Sequence, residues 1–338
     1  MKLRSLASLT LPLLALLAGT ASAEPFRLIV TDMEPPLVPN SVVDIALAEG
    51  YFARAGVEVE IIRVQQTPMA MAALQSGEGE MANVATEGLV QLAAQEGGRT
   101  LRAVTSPNKA LPYLIAGKKD LTIEGLKGQP FGIGRIGSLD HTLLGKVLAS
   151  KGLSEADVEL VALGQPNARA QALLAGQIAA TTMSVGSLLA LPNPQDLSVL
   201  VTVDDYYAAA PVVSKVNAVT QDTLEKRGSE VEAVIEALTL AARDMAAEKS
   251  AWAKAMAKLR PDVAPETLEA LSEAYQNSWS VNGGVQAQEL AETAAWLYEG
   301  EDFKGLAKVE LSAWVDFTPA DHVLAKIGTS DKGDKVSR

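Results

Sequence analysis

The chain has 338 residues, a formal net charge of −12, no cysteine, 48% hydrophobic residues and only 4% aromatics. This apolar share excludes a disordered chain, and the absence of cysteine excludes disulfides, thiolate metal sites and a cysteine nucleophile. With 41 acids against 29 bases, and only His141 and His322 as imidazoles, neither a nucleic-acid binder nor a multi-histidine metal centre is expected.

Residues 1–23 read as a secretory signal. Lys2 and Arg4 give a positive start, Leu6–Leu17 a short apolar run, and Ala21-Ser22-Ala23 a small-residue cleavage site. Cleavage removes two bases and no acid, so the net charge moves from −12 to −14. No later apolar run is long enough to span a bilayer. The expected mature protein is periplasmic.

From Phe26 onward, short β-branched runs alternate with amphipathic stretches. Strands are predicted at Phe26–Thr31, Val57–Val64, Met81–Ala85 and Leu101–Thr105, and helices at Ser41–Ala55, Pro68–Ser76 and Glu87–Glu96. Such alternation predicts an α/β sheet covered by helices. Val57–Leu89 then matches Ala156–Leu188 at a constant offset of 99, aligning Val59 with Val158, Gln66 with Gln165, and Gly77 with Gly176. Two lobes built on one plan are the preferred reading. Leu197–Val203 and Pro211–Lys215 read as further strands, and Asp222 to Gly300 as almost wholly helical. Trp314–Ile327 reads as a last helix, and 328–338 as a loose tail.

A family resemblance rests on three segments. Ala46, Gly50-Tyr51-Phe52 and Gly56-Val57-Glu58-Val59 form the first, Leu126-Lys127-Gly128 with Phe131-Gly132-Ile133 the second, and Ala172-Leu173-Leu174-Ala175-Gly176 the third. Together they resemble periplasmic solute-binding proteins of ABC importers, in the branch that takes sulfonates, taurine, nitrate and thiamine-pyrimidine precursors. The resemblance implies a type II periplasmic-binding-protein fold, with two Rossmann-like lobes, two hinge crossovers and a helical C-terminal region. It assigns 24–116 and 208–327 to lobe 1 and 117–207 to lobe 2, with crossovers near Gly117 and near Tyr207–Pro211. It further implies a monomeric receptor that meets a small molecule and a membrane permease, needs no cofactor and touches no nucleic acid. Ala179 stands where the family usually has an acid, which points to a different ligand contact there.

Candidate ligand residues come from strand-to-helix turns, where unpaired N–H groups favour an acceptor. Asn40-Ser41, Thr86 with Glu87, and Gly137-Ser138 open predicted helices, although each is also an ordinary helix start. An offset of 96 aligns Ser41 with Gly137 and Asp44 with Asp140. Arg135 is a candidate clamp for a carboxylate or sulfonate, with a surface or structural arginine as the other reading. His141 and Asp140 lie in the first turn after Ser138. Gln66 and Gln165 are paired by the repeat, with Thr67 and Asn167 close by, and Ser184 lies within the repeated unit near its end. If two of Asp32, Glu34, Glu87 and Asp140 point inward, they would instead suit an amine, although first-turn acids also stabilise helices without any ligand. Tyr113 lies near the first crossover and Tyr206 and Tyr207 at the second, positioned either to stack on a flat ligand or to pack the hinge. No catalytic triad, Gly-x-Ser-x-Gly elbow or phosphate loop is present, so a binder is expected rather than an enzyme. The ligand expected is a small organic anion. An aminopyrimidine or zwitterion, an exported enzyme, and a sensor-kinase partner on the same fold stand as alternatives.

Overall fold

A computed structural model describes residues 24–96, 101–107, 112–134, 136, 139–334 and 336. The signal segment 1–23 lies outside the described residues, and so do the candidate ligand residues Arg135, Gly137 and Ser138.

The first unit runs β1 (Phe26–Val30), α1 (Val42–Ala48), α2 (Tyr51–Arg54), β2 (Val59–Arg63), α3 (Thr67–Gln75), β3 (Met81–Ala85), α4 (Thr86–Glu96) and β4 (Leu101–Thr105). The helix expected over 41–55 is divided at Gly50, whose left-handed φ of +74° ends α1. The second unit runs β5 (Tyr113–Lys118), β6 (Pro130–Ile133), α5 (Leu139–Ser150), β7 (Glu159–Ala162), α6 (Pro166–Leu174), β8 (Ala180–Ser184), α7 (Val185–Leu189) and β9 (Leu197–Val201). Then follow α8 (Val203–Ala209), β10 (Lys215–Thr220), α9 (Gln221–Ala247), α10 (Ala251–Leu259), α11 (Pro265–Ala274), α12 (Ala287–Leu297) and α13 (Thr318–Ile327). The strand expected at 211–215 instead begins at Lys215. Tyr206 and Tyr207 lie on α8.

Each unit builds one mixed five-stranded sheet, in the orders β2-β1-β3-β10-β4 and β7-β6-β8-β5-β9. The two orders are one pattern. β1 and β6 each pair in parallel with two neighbours, while β10 and β5 enter antiparallel as the fourth strand. The chain passes to the second sheet between Thr105 and Tyr113, so Gly117 lies inside β5 rather than between the lobes. It returns between Val201 and Lys215 by way of α8. The offset of 99 carries α3 onto α6, β3 onto β8, and the first residue of α4 onto that of α7. Gly77 and Gly176, which follow α3 and α6, both have positive φ, at +79° and +73°. Local sequence repeats here because the same helix-stop-strand turn is made twice.

The C-terminal helices pack on the first sheet. α9 lies against α1, α2 and α13, and α11 reaches across to α7 of the second unit. Trp252, Trp279 and Trp314 are fully buried and Trp296 nearly so. At the N-terminal end of the first sheet, Glu80 binds Arg27 on β1 at 2.6 Å and Arg227 on α9 at 3.2 Å. No helix among the described residues is long and apolar enough to cross a membrane.

Candidate functional site between the lobes

In parallel α/β sheets, ligands gather beyond the carboxyl ends of strands. The loop after β1 shows which surfaces meet there. Leu37 and Val38 face Asn167 on α6 and Ser184, Gly186 and Ser187 at the start of α7, around a cavity of about 420 Å³. Strand ends of one lobe therefore look onto helix starts of the other.

The first lobe carries four charged groups around the carboxyl ends of its strands. Asp32, just past β1, accepts from Asn40 Nδ2 at 2.7 Å and from Lys215 Nζ at 3.1 Å. Lys215, at the start of β10, also donates to Thr31 Oγ1 at 3.0 Å. Arg63, at the end of β2, donates to the Asp32 carbonyl at 2.8 Å and pairs with Asp44 in the first turn of α1. Burial pushes the Asp44 carboxyl up, and the Arg63 contact opposes that shift. Asn40 Oδ1 and Thr86 Oγ1 are buried without a hydrogen-bond partner. Such groups carry an unmet desolvation cost of about 1–3 kcal/mol each.

The second lobe repeats the acid–arginine pairing. Asp140, in the first turn of α5, accepts from Gly134 N at 2.8 Å and from Arg169 Nη1 at 2.7 Å. Arg169 is 6% exposed, and its Nε is buried without a partner. The offset of 96 that aligns Asp44 with Asp140 thus aligns two first-turn acids, each held by an arginine from elsewhere in its own lobe.

Other candidates have internal work. Ser41 is fully buried; its Oγ donates to Val38 O at 2.8 Å and accepts from Trp252 Nε1 at 2.8 Å. Thr67 Oγ1 accepts from Ala85 N at 3.0 Å, tying α3 to the end of β3. His141 faces Glu155 at 3.4 Å, and Glu34 faces Arg260 at 3.2 Å. Tyr206 is 1% exposed and meets Tyr113 edge to face at 6.0 Å between ring centroids. Burial pushes its hydroxyl pKa up. Tyr207 donates to Glu289 Oε1 at 2.9 Å; burial and that carboxylate push its hydroxyl up. The Ser41, Thr67 and Tyr207 hydroxyls are satisfied within the protein, whereas the Tyr206 hydroxyl is buried without a hydrogen-bond partner.

Gln66 and Gln165 are exposed and sit just before α3 and α6, without capping through their side chains. Glu87 is half-buried in the first turn of α4. Asn167 and Ser184 share the inter-lobe cavity, and Ser184 Oγ also caps α7 by accepting from Ser187 N at 3.0 Å. Sequence reasoning did not single out Lys215, Arg63 or Arg169. Lys215 is brought to the site by the antiparallel insertion of β10, and a local pattern carries no sign of that pairing.

The sequence model of the family described as "NMT1/THI5 like" matches residues 42–251. A search of curated proteins finds no match. Among solved structures, the putative sulfonate ABC transporter periplasmic sulfonate-binding protein SsuA from Methylobacillus flagellatus KT is similar, with a TM-score of 0.71. The two are 13% identical, over 93% of this chain and 98% of that one. The periplasmic aliphatic sulphonate binding protein SsuA from Escherichia coli has a TM-score of 0.66 at 16% identity, covering 87% and 92% of the two chains. DSZB, in complex with biphenyl-2-sulfinic acid, has a TM-score of 0.63 at 15% identity, covering 89% and 99%. At these identities the likeness extends to the fold, which is that of periplasmic binding proteins.

Proposed function

Because the chain belongs to the NMT1/THI5-like family, we propose that it is an extracytoplasmic solute receptor that closes its two lobes on a small organic molecule and hands it to an ABC importer. One observation carries this reading. Two sheets of the same order are joined by two crossovers, each lobe pairs a first-turn acid with an arginine, and residues of both lobes line a cavity of about 420 Å³. Such an arrangement suits closure about a hinge. Export through residues 1–23 and action as a monomer belong to the same proposal, as does binding without catalysis. The similar sulfonate-binding proteins, with Lys215 and Arg169 in opposite lobes, favour a small organic anion such as a sulfonate or an aromatic carboxylate. The Asp32–Lys215 pair favours a second reading, a zwitterion, because it offers both charges at one point.

Native mass spectrometry of the protein as purified, followed by thermal shift across sulfonates, aromatic carboxylates, aminopyrimidines and nitrate, tests the proposal. A bound anion should raise the melting temperature in proportion to its saturation. Lys215→Met should weaken that anion about tenfold or more, as expected when a charged hydrogen bond is removed. Absence of any bound species and of any stabilisation across the panel refutes the receptor reading.

A further inference from the structure

The end of the chain reaches both crossovers through a continuous set of hydrogen bonds. Asp334 is 2% exposed. Its Oδ1 accepts from Asn282 N at 3.0 Å and its Oδ2 from Gly284 N at 2.9 Å. Asn282 answers with its own side chain. Its Nδ2 donates to Ser330 O at 2.8 Å and Asp334 O at 2.7 Å, and its Oδ1 accepts from Ser330 N at 2.8 Å. The segment expected to be loose is thus docked over residues 330–334. Arg243 on α9 fastens its beginning, donating to Ile327 O at 3.2 Å and Gly328 O at 2.6 Å.

The loop that receives Asp334 holds the first crossover. Gly283, between the two amides bound by the carboxylate, accepts from Ser106 N at 2.8 Å and from Thr105 Oγ1 at 2.5 Å. Thr105 ends β4, and Ser106 begins the passage to the second lobe. Ser106 Oγ then donates at 2.7 Å to the carbonyl of Lys215, where the second crossover enters β10. Lys215 is also the residue whose ammonium meets Asp32.

The chemistry of the docking is specific. Both carboxylate oxygens face N–H donors, so the ionised side chain fits and a carboxamide would turn an N–H toward an N–H. Gly283 and Gly284 both have left-handed φ, at +87° and +68°, which glycine adopts without steric cost and which lets the Asn282 and Gly284 amides share one carboxylate. Without Asp334, two buried amides lose their acceptors. The segment follows α13 and adds no helix or strand of its own over residues 328–334.

We propose that residues 328–334 form a strap that holds both crossovers, so that its docking or release sets how freely the lobes open and close. This rests on reading the crossovers as the hinge. The test compares the full chain with a chain ending at Gly328 and with Asp334→Asn, each checked for a single cooperative melt. Amide exchange reports on the strap. Dyes at Glu58→Cys and Lys127→Cys report on lobe distance, with no native cysteine to compete. Exchange at Asn282, Gly284 and Ser106 should accelerate at least tenfold in both variants, and the lobe-distance distribution should broaden. A peptide of residues 329–338 added to the shortened chain should reverse both changes. Acceleration confined to Asn282 and Gly284, with Ser106 unchanged, overturns the strap. Acceleration at Ser106 with an unchanged, mobile lobe-distance distribution also overturns it, because the crossovers then move independently of the tail. A rigid lobe distance in the parent and all variants overturns the hinge reading itself.

Discussion

Glu80→Gln tests the electrostatic tie at the base of the first sheet. Glu80 is 8% exposed and accepts from Arg27 N and Arg27 Nη2, each at 2.6 Å, with Arg227 Nη1 at 3.2 Å. The carboxamide keeps one acceptor and turns an NH2 toward the remaining donors. Charge-assisted bonds contribute about 1.5–3 kcal/mol each, but the arginine side chains are 33% and 21% exposed, so water recovers much of the loss. The expected cost is about 2 kcal/mol, or a fall of about 4 °C in melting temperature for a chain of this size. Burial pushes the Glu80 carboxyl up, yet the bonds and charges of Arg27 and Arg227 outweigh it and leave the pKa lowered. A lowered folded-state pKa gives stability that is complete above the unfolded value and disappears as pH falls through the folded one. Differential scanning calorimetry should therefore find the gap between parent and variant constant from about pH 7 to 5 and closing below about pH 4.3. Equal melting temperatures at neutral pH, or a gap that persists in strong acid, would refute the reasoning.

Ser41→Ala should cost about 2 kcal/mol in denaturant unfolding, because it leaves the buried Trp252 indole N–H without an acceptor. Ligand-induced stabilisation should be unchanged, since the Ser41 hydroxyl is already committed within the first lobe. Arg169→Leu should cost about 3 kcal/mol by removing the arginine that pairs with Asp140, and Asp140→Leu on top should recover part of the loss in a double-mutant cycle. Strict additivity of the two substitutions would show that the pair is not coupled.

The offset of 99 was legible because it records local geometry. Gly77 and Gly176 stop equivalent helices, and the strands after them start in step. The partner of a polar side chain leaves no such record. Ser41 at a helix start has the same sequence appearance whether it meets a ligand or Trp252, which lies 211 residues away. The tyrosines illustrate the same limit. Their place near the hinge was readable, but that Tyr206 packs against Tyr113 and Tyr207 meets Glu289 depends on how α8 folds back onto its neighbours.

Composition and periodicity determined the α/β class, the repeated plan and the absence of thiol chemistry, because each follows from residue types and short-range spacing. Tertiary structure alone decided the antiparallel entry of β5 and β10, the meeting of Lys215 with Asp32 and the docking of Asp334 on Asn282 and Gly284. Those contacts join residues 183, 52 and 50 positions apart, and hydrogen bonds at such separations are selected by the packing of whole elements rather than by any neighbouring pattern. The tail shows the difference most clearly. Its polar, charged sequence predicts a loose end, and one carboxylate finding two buried amides turns it into part of the fold.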